Sequence, residues 1–238
     1  MARPDIARAV HSLQRAQTNP SPNHWQAALN VLHYLRSTPT LGPRYRRVAD
    51  INDLQLSAYI VDASFAPDWK DADGISVTGY IHFLAGGPVA WTSHRQKHVA
   101  GSTCESEFIA LSEGFNTIEW LWSFLPELHI PQRPTIVYED NDTAPKLAQG
   151  LLFTATSRHV VVRYSRVREI INDPLIQLQY VSTRNQLADG LTKILPNPTF
   201  IRHLPLLLGF SSGEVHLSQE TYRQEYKTFI TRTLPSIL

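Results

Sequence analysis

Residues 54–62 read Leu-Gln-Leu-Ser-Ala-Tyr-Ile-Val-Asp, a run of β-formers that closes on an acid, and this stretch decides the fold. Two more such runs follow, Ser76 to Leu84 and Pro88 to Ser93, with Gly86-Gly87 between them as the expected hairpin turn. The period then changes. Phe108, Leu111, Phe115, Ile118, Trp122 and Leu125 step by three and four, which predicts a long helix. Thr135 to Glu139 reads as a strand, 141–149 as a short helix, and His159 to Asn172 as a helix through Val160, Tyr164, Val167 and Ile171. Leu175 to Ser182 predicts a last strand and Asn185 to Leu195 a last helix. The order βββ-α-β-α-α-β-α requires an α/β fold: a mixed five-stranded sheet, antiparallel through the first meander and parallel where helices intervene.

Working back towards the N-terminus, Ile6, Val10 and Leu13 line one helix after Pro4, and Trp25, Leu29, Leu32 and Leu35 recur at helical spacing on a second. These predict a helical hairpin with an apolar seam. Residues 38–53, rich in Pro, Gly and Arg, suggest a boundary near residue 50, giving units of 1–50, 51–197 and 198–238, the last a helical tail.

Composition narrows the classes. Of 238 residues, 42% are apolar and 18% charged, which suits a packed domain, and the net charge of +1 means that any nucleic-acid footprint is local. The single cysteine, Cys104, excludes an intramolecular disulfide framework and a cysteine-based zinc site. The first residues lack the apolar core of a secretion signal and no apolar run is long enough to span a bilayer, so an intracellular protein, cytoplasmic or nuclear, is expected.

No phosphate loop or nucleophile pattern is present; acids stand at the ends of the predicted elements instead. Asp62 closes the first strand, Glu107 lies in the first turns of the long helix, Asp140 follows the fourth strand and Asp189 sits in the last helix. Converging carboxylates repel one another unless a hard cation neutralises them, which points to Mg²⁺ or Mn²⁺ and to phosphodiester hydrolysis. Each has a blander reading. Asp62 suits a turn, Asp140 a helix cap, and Asp189 a solvent-facing position about 200° round the helix from Leu187. Ser102 and Glu105 fit a capping box, which gives Glu105 a structural task and leaves Glu107 without one.

The runs Val61-Asp62-Ala63-Ser64-Phe65, Thr78-Gly79-Tyr80, Ser93-His94-Arg95-Gln96-Lys97, Thr103 to Glu113, Glu139-Asp140-Asn141 and Asn185 to Lys193 resemble, in order, the ribonuclease H region of copia-type retrotransposon polyproteins. Arg3-Pro4-Asp5-Ile6-Ala7 and His24 to Leu29 are similar to the end of that family's reverse transcriptase connection. The resemblance covers roughly residues 3 to 210. It implies a ribonuclease H-like fold, two Mg²⁺ ions with Mn²⁺ as a substitute, and Asp62, Glu107, Asp140 and Asp189 as catalytic metal ligands. An RNA/DNA hybrid is the implied substrate, met by Arg95, Gln96, Lys97, Ser102, Asn141 and Arg163; the rest of a reverse transcriptase supplied in trans is a further partner, and no membrane is involved. Arg158, Arg163, Arg166 and Arg168 also read as ordinary solvated charges, and Trp91 and Trp122 as core. Val161 and Ser165 depart from the family, which usually has an acid and a histidine there. Met1 falls where the family's chain is internal, so a detached remnant is expected. A catalytically weak relic that keeps the fold as a nucleic-acid or protein binding module is the alternative.

Overall fold

The computed structural model of the protein describes residues 3–64, 75–97, 99–100, 102–131, 133–140, 146 and 158–210. Five strands form one mixed sheet: β1 (Ser57–Ser64), β2 (Val77–Leu84), β3 (Gly87–Arg95), β4 (Thr135–Glu139) and β5 (Ile176–Tyr180), in the order β3-β2-β1-β4-β5. β1, β2 and β3 pair antiparallel, whereas β1–β4 and β4–β5 pair parallel, as the element order requires. The helices are α1 (Ala7–Gln14), α2 (Pro22–Ser37), α3 (Thr103–Glu127), α4 (Arg158–Ile171), α5 (Asp189–Thr192) and α6 (Asn197–Leu207). The expected mixed five-stranded sheet with flanking helices, preceded by a helical hairpin, is therefore what forms.

Alternation along the strands sorts the core into two faces. Leu56, just before β1, and Ala58 and Ile60 of β1, with Val137 and Ile176, pack beneath Phe108, Phe115 and Ile118 of α3 and Val167 and Ile171 of α4. On the other face Ile81 and Phe83 meet Ala7, Leu187, Leu191 and Leu207. A third cluster joins Ala9, Val31 and Tyr34 of the hairpin to Phe200, Leu204 and Leu208. The hairpin is thus built into one face of the sheet, sharing its core with residues on both sides of the expected boundary near 197.

Several local expectations shift. The turn between β2 and β3 is Ala85-Gly86, both at positive φ (53° and 74°), and Gly87 already pairs with Leu84, so the loop lies one residue earlier than the Gly86-Gly87 reading. The seam of α2 is also out of phase. Ala27, Asn30, Val31 and Tyr34 are buried, while Trp25 and Leu32 are 68% and 58% exposed. The reason is polar: the Tyr34 hydroxyl donates to Asp5 at 2.7 Å, and Asp5 is held by Arg3, so a network outranks the larger apolar side chains in choosing the face. The long helix at 185–195 is replaced by a 3₁₀ turn over Thr183–Asn185 and the four-residue α5. Trp91 packs on the second face, and the Trp122 indole donates to Thr135 at 2.9 Å, as core positions do. The short helix at 141–149 and most of the tail, 211–238, lie outside the described residues. Among the described residues no helix is long and apolar enough to cross a membrane.

His82 of β2 is fully buried with its Nε2 3.1 Å from the Gly114 carbonyl, and burial lowers its pKa from 6.5 to about 4. Burial likewise holds His11 at about 4. The unfolded chain takes these protons first, so the stability they confer is complete above about pH 6.5 and is lost as pH falls towards 4. His82→Leu is expected to remove up to one proton from the pH dependence of urea unfolding between pH 6.5 and 4, whatever it costs at pH 7. An unchanged slope would show that His82 does not titrate in that window.

Candidate active site

The parallel pair β1–β4 places two of the four acids by backbone alone. Tyr59 is level with Tyr138, and the same register carried forward sets Asp62 about one residue beyond the level of Asp140. Both stand at the carboxyl ends of adjacent strands. Asp62 lies two residues before the end of β1, with its side chain outside the described residues; β1's pairing with β2 shifts register between Val61 and Ser64.

α3 brings the third acid to the same end. Its Trp122 bonds the first residue of β4, and Gly114 lies against Ile60, where a Cβ would come within 2.7 Å of the Ile60 Cδ1, so the helix runs antiparallel to both strands. Glu107 is seven residues before Gly114. That is two turns less about 20°, hence the same helix face and about 10 Å nearer the strand ends. Glu107 and Glu105 are both half-buried. Ser102 is the N-cap, its Oγ accepting from the Glu105 amide at 3.1 Å, which is the first half of the expected box; both halves of such a box close at α2, between Ser21 and His24.

The fourth acid comes from the opposite face. The Gln186 side chain donates to the Ile60 carbonyl at 3.3 Å, and Gly79 of β2 admits α5, since a Cβ there would lie 2.7 Å from Thr192 Cγ2. Asp189 is consequently 3% exposed, and the solvent-facing reading of it fails. That reading presumed a regular helix through 185–195, whereas α5 begins at Asp189 itself. Burial, and secondarily the Asp140 charge, raise the Asp189 pKa against Lys193, whose Nζ lies 2.8 Å from Oδ2. Lys193 is the partner that the sequence reading missed; its i,i+4 spacing from Asp189 is the signal. Asp140 and Asp189 are thus brought together, and Oδ1 of each is buried without a hydrogen-bond partner among the described residues. Buried orphan oxygens on neighbouring acids are a donor set suited to a hard cation. Among the described residues no three His, Cys, Asp or Glu side chains close into a metal-holding group, so Glu107, Asp140 and Asp189 do not form one by themselves.

The expected substrate contacts divide. Lys97 and Ser102 are exposed and Arg95 is half-buried at the end of β3. Gln96 is 3% exposed: its amide nitrogen reaches the Ser106 carbonyl at 2.8 Å and Thr78 Oγ1 at 3.3 Å. It braces α3 against β2, a correction to its reading as a hybrid contact, because an amide used inside the fold has no donor left for a phosphate. Arg163 belongs to α4 by backbone, with its side chain outside the described residues, as is Asn141. Arg166 is paired with Glu119 across α3 and α4.

No protein-family model matches the chain. The Retrovirus-related Pol polyprotein from transposon TNT 1-94 of Nicotiana tabacum is 36% identical over 203 residues, which are 83% of this chain and 14% of that polyprotein. The secreted RxLR effector protein 161 of Plasmopara viticola is 40% identical over 121 residues, 51% of this chain and 81% of that protein. Among solved structures, the N-terminal ribonuclease H domain of a Mycobacterium tuberculosis protein matches with a TM-score of 0.41 at 11% identity, covering 63% of this chain and 96% of that one. The chain spans about one seventh of the length of the Pol polyproteins it matches, and over 83% of its own length it is 35–36% identical to these copia-type retrotransposon polyproteins.

Proposed function

We propose that residues 51–197 act as a metal-dependent ribonuclease H domain that hydrolyses the RNA strand of RNA/DNA hybrids, with 1–50 and 198–238 as its flanking units, of which residues 3–50 and 198–210 pack onto it. The observation that carries this reading is the pair of buried, unpartnered oxygens on Asp140 and Asp189, at the end of the sheet where Asp62 and the N-terminal turns of α3 also stand. Asp62, Glu107, Asp140 and Asp189 would hold two Mg²⁺ ions, which when bound supply charge neutralisation and an activated water. The chain's own residues do the rest. Lys193, with its Nζ 2.8 Å from Oδ2, offsets the charge of Asp189, and Arg95 and Lys97 hold the backbone of the hybrid at the edge of the sheet.

Cleavage of a labelled RNA/DNA hybrid is expected in Mg²⁺ or Mn²⁺, absent in chelator, and absent on duplex DNA, which offers no 2′-hydroxyl to read. Hybrid that is bound but left uncut in both metals would replace the nuclease reading with that of a binding module. Equal cutting of duplex DNA would leave a nuclease without the proposed specificity.

A further inference from the structure

β1 and β4 pair in register from Ser57–Ile136 to Tyr59–Tyr138, and there the ladder ends, although β4 goes on pairing with β5 as far as Glu139–Tyr180. The Ile136 amide donates to the Leu56 carbonyl at 3.2 Å, and every second carbonyl of a strand faces the same neighbour, so those of Ala58 and Ile60 also face β4. In a continued ladder the Ile60 carbonyl would accept the Asp140 amide, each residue lying four beyond that first bonded pair. Among the described residues it accepts the Gln186 side chain instead, with Nε2 at 3.3 Å. The main chain of Gln186 is bonded as well: its amide donates to the Thr183 carbonyl and its carbonyl accepts the Asp189 amide, each at 3.3 Å. One residue therefore holds Ile60, two residues before Asp62, and Asp189 itself, at the rung where β4 parts from β1. Gln186 is wholly buried, and its Oε1, like Asp140 Oδ1 and Asp189 Oδ1, has no hydrogen-bond partner among the described residues. A buried amide with one end unpaired is a poor choice for packing alone, because its oxygen has given up water without replacement, whereas the neighbouring Leu187 and Leu191 fill core positions with apolar carbon.

We infer that Gln186 is a positioning residue for the acids: its side-chain amide stands in for a rung of the ladder between β1 and β4, holds the two strands apart at the level of Asp62 and Asp140, and ties that opening to the segment that carries Asp189. The inference rests on the proposed reading of the acids as metal ligands. Without the amide, the Ile60 carbonyl is left to the Asp140 amide and the ladder closes by one rung. Closure draws Asp140 towards β1 and releases Asp189 from it, so the acids lose the spacing in which they are held for a cation.

The test compares the full chain with Gln186→Ala and with Gln186→Met, which keeps the length of the side chain but not its donor. Mn²⁺ binding is followed by the spin-resonance signal of the free ion, and the Asp140 amide by hydrogen exchange in metal-free buffer. Gln186→Ala is expected to weaken Mn²⁺ binding about tenfold or more, and to slow exchange at Asp140 as that amide takes the Ile60 carbonyl. Gln186→Met, which still parts the strands, should change less on both counts. Melting temperatures identify a merely structural role, which would lower them and speed exchange throughout while leaving the Mn²⁺ affinity of the folded chain unchanged. Unchanged Mn²⁺ affinity in both variants, or exchange at Asp140 that is not slowed in Gln186→Ala, would overturn the inference. Asp189→Asn is measured beside them: Mn²⁺ binding that survives it counts against the acids as metal ligands, whereas exchange at Asp140 still decides Gln186.

Discussion

Glu107→Gln is expected to reduce Mg²⁺-dependent hybrid cleavage more than about a hundredfold, the loss that even a partner one shell out from a metal can cause, while Glu105→Gln stays within about twofold. The two residues lie two apart on one helix, so they point about 200° apart. Gly114 against Ile60 fixes which face of α3 meets the sheet, and Glu107 shares that face while Glu105 does not. Glu105 instead occupies the third position of the helix, where its amide is taken by Ser102. Gln also serves there, and each substitution removes one negative charge from the same turn, so any general electrostatic effect is common to both. Initial rates on labelled hybrid, with melting temperatures as a control for folding, read the difference. Equal loss from the two substitutions would show that Glu107 is not a metal ligand.

The strands were legible as runs of β-branched and aromatic residues, as at 57–64 and 77–84, and α3 from the three-four stepping of Phe108 to Leu125. What periodicity could not reach was decided by tertiary contact. Trp25 and Leu32 fit a helical stripe as well as Ala27, Val31 and Tyr34 do, and only the Tyr34–Asp5–Arg3 network chooses between them. Asp189 looked solvated on an idealised helix; its burial follows from Gly79 letting α5 close on β2, which no window around residue 189 contains. The resemblance makes Gln96 a substrate contact, yet its partners Thr78 and Ser106 are 18 and 10 residues away and hold it inside the fold. Sequence proximity separates the acids by tens of residues, and the resemblance to copia-type polyproteins tied them together before any geometry did.

Deleting residues 1–50 is expected to unfold the rest of the protein and abolish any cleavage, although a boundary near residue 50 would lead one to expect an independent domain. Ala7, Ala9, Val31, Tyr34 and Leu41 bury against Phe200, Leu204, Leu208, Leu191 and Leu207, so their removal returns both sides of two clusters to water. At roughly 1.5–3 kcal/mol for each large side chain, the loss is on the order of 10 kcal/mol, comparable with the whole stability of an ordinary domain. A milder variant isolates the link to the acids. Arg8 is 6% exposed and its Nε donates to the Thr192 carbonyl at 3.0 Å, three residues past Asp189. Arg8→Ala removes that charged donor from the far end of α5, at a cost of about 1.5–3 kcal/mol. Because α5 is a single turn with little hydrogen bonding of its own, cleavage should fall further than the melting temperature explains. Unfolding curves for 51–238 and for Arg8→Ala, with cleavage measured below the melting transition, test both steps. A truncated chain that melts cooperatively within a few degrees of the full one would return the hairpin to the status of an appendage.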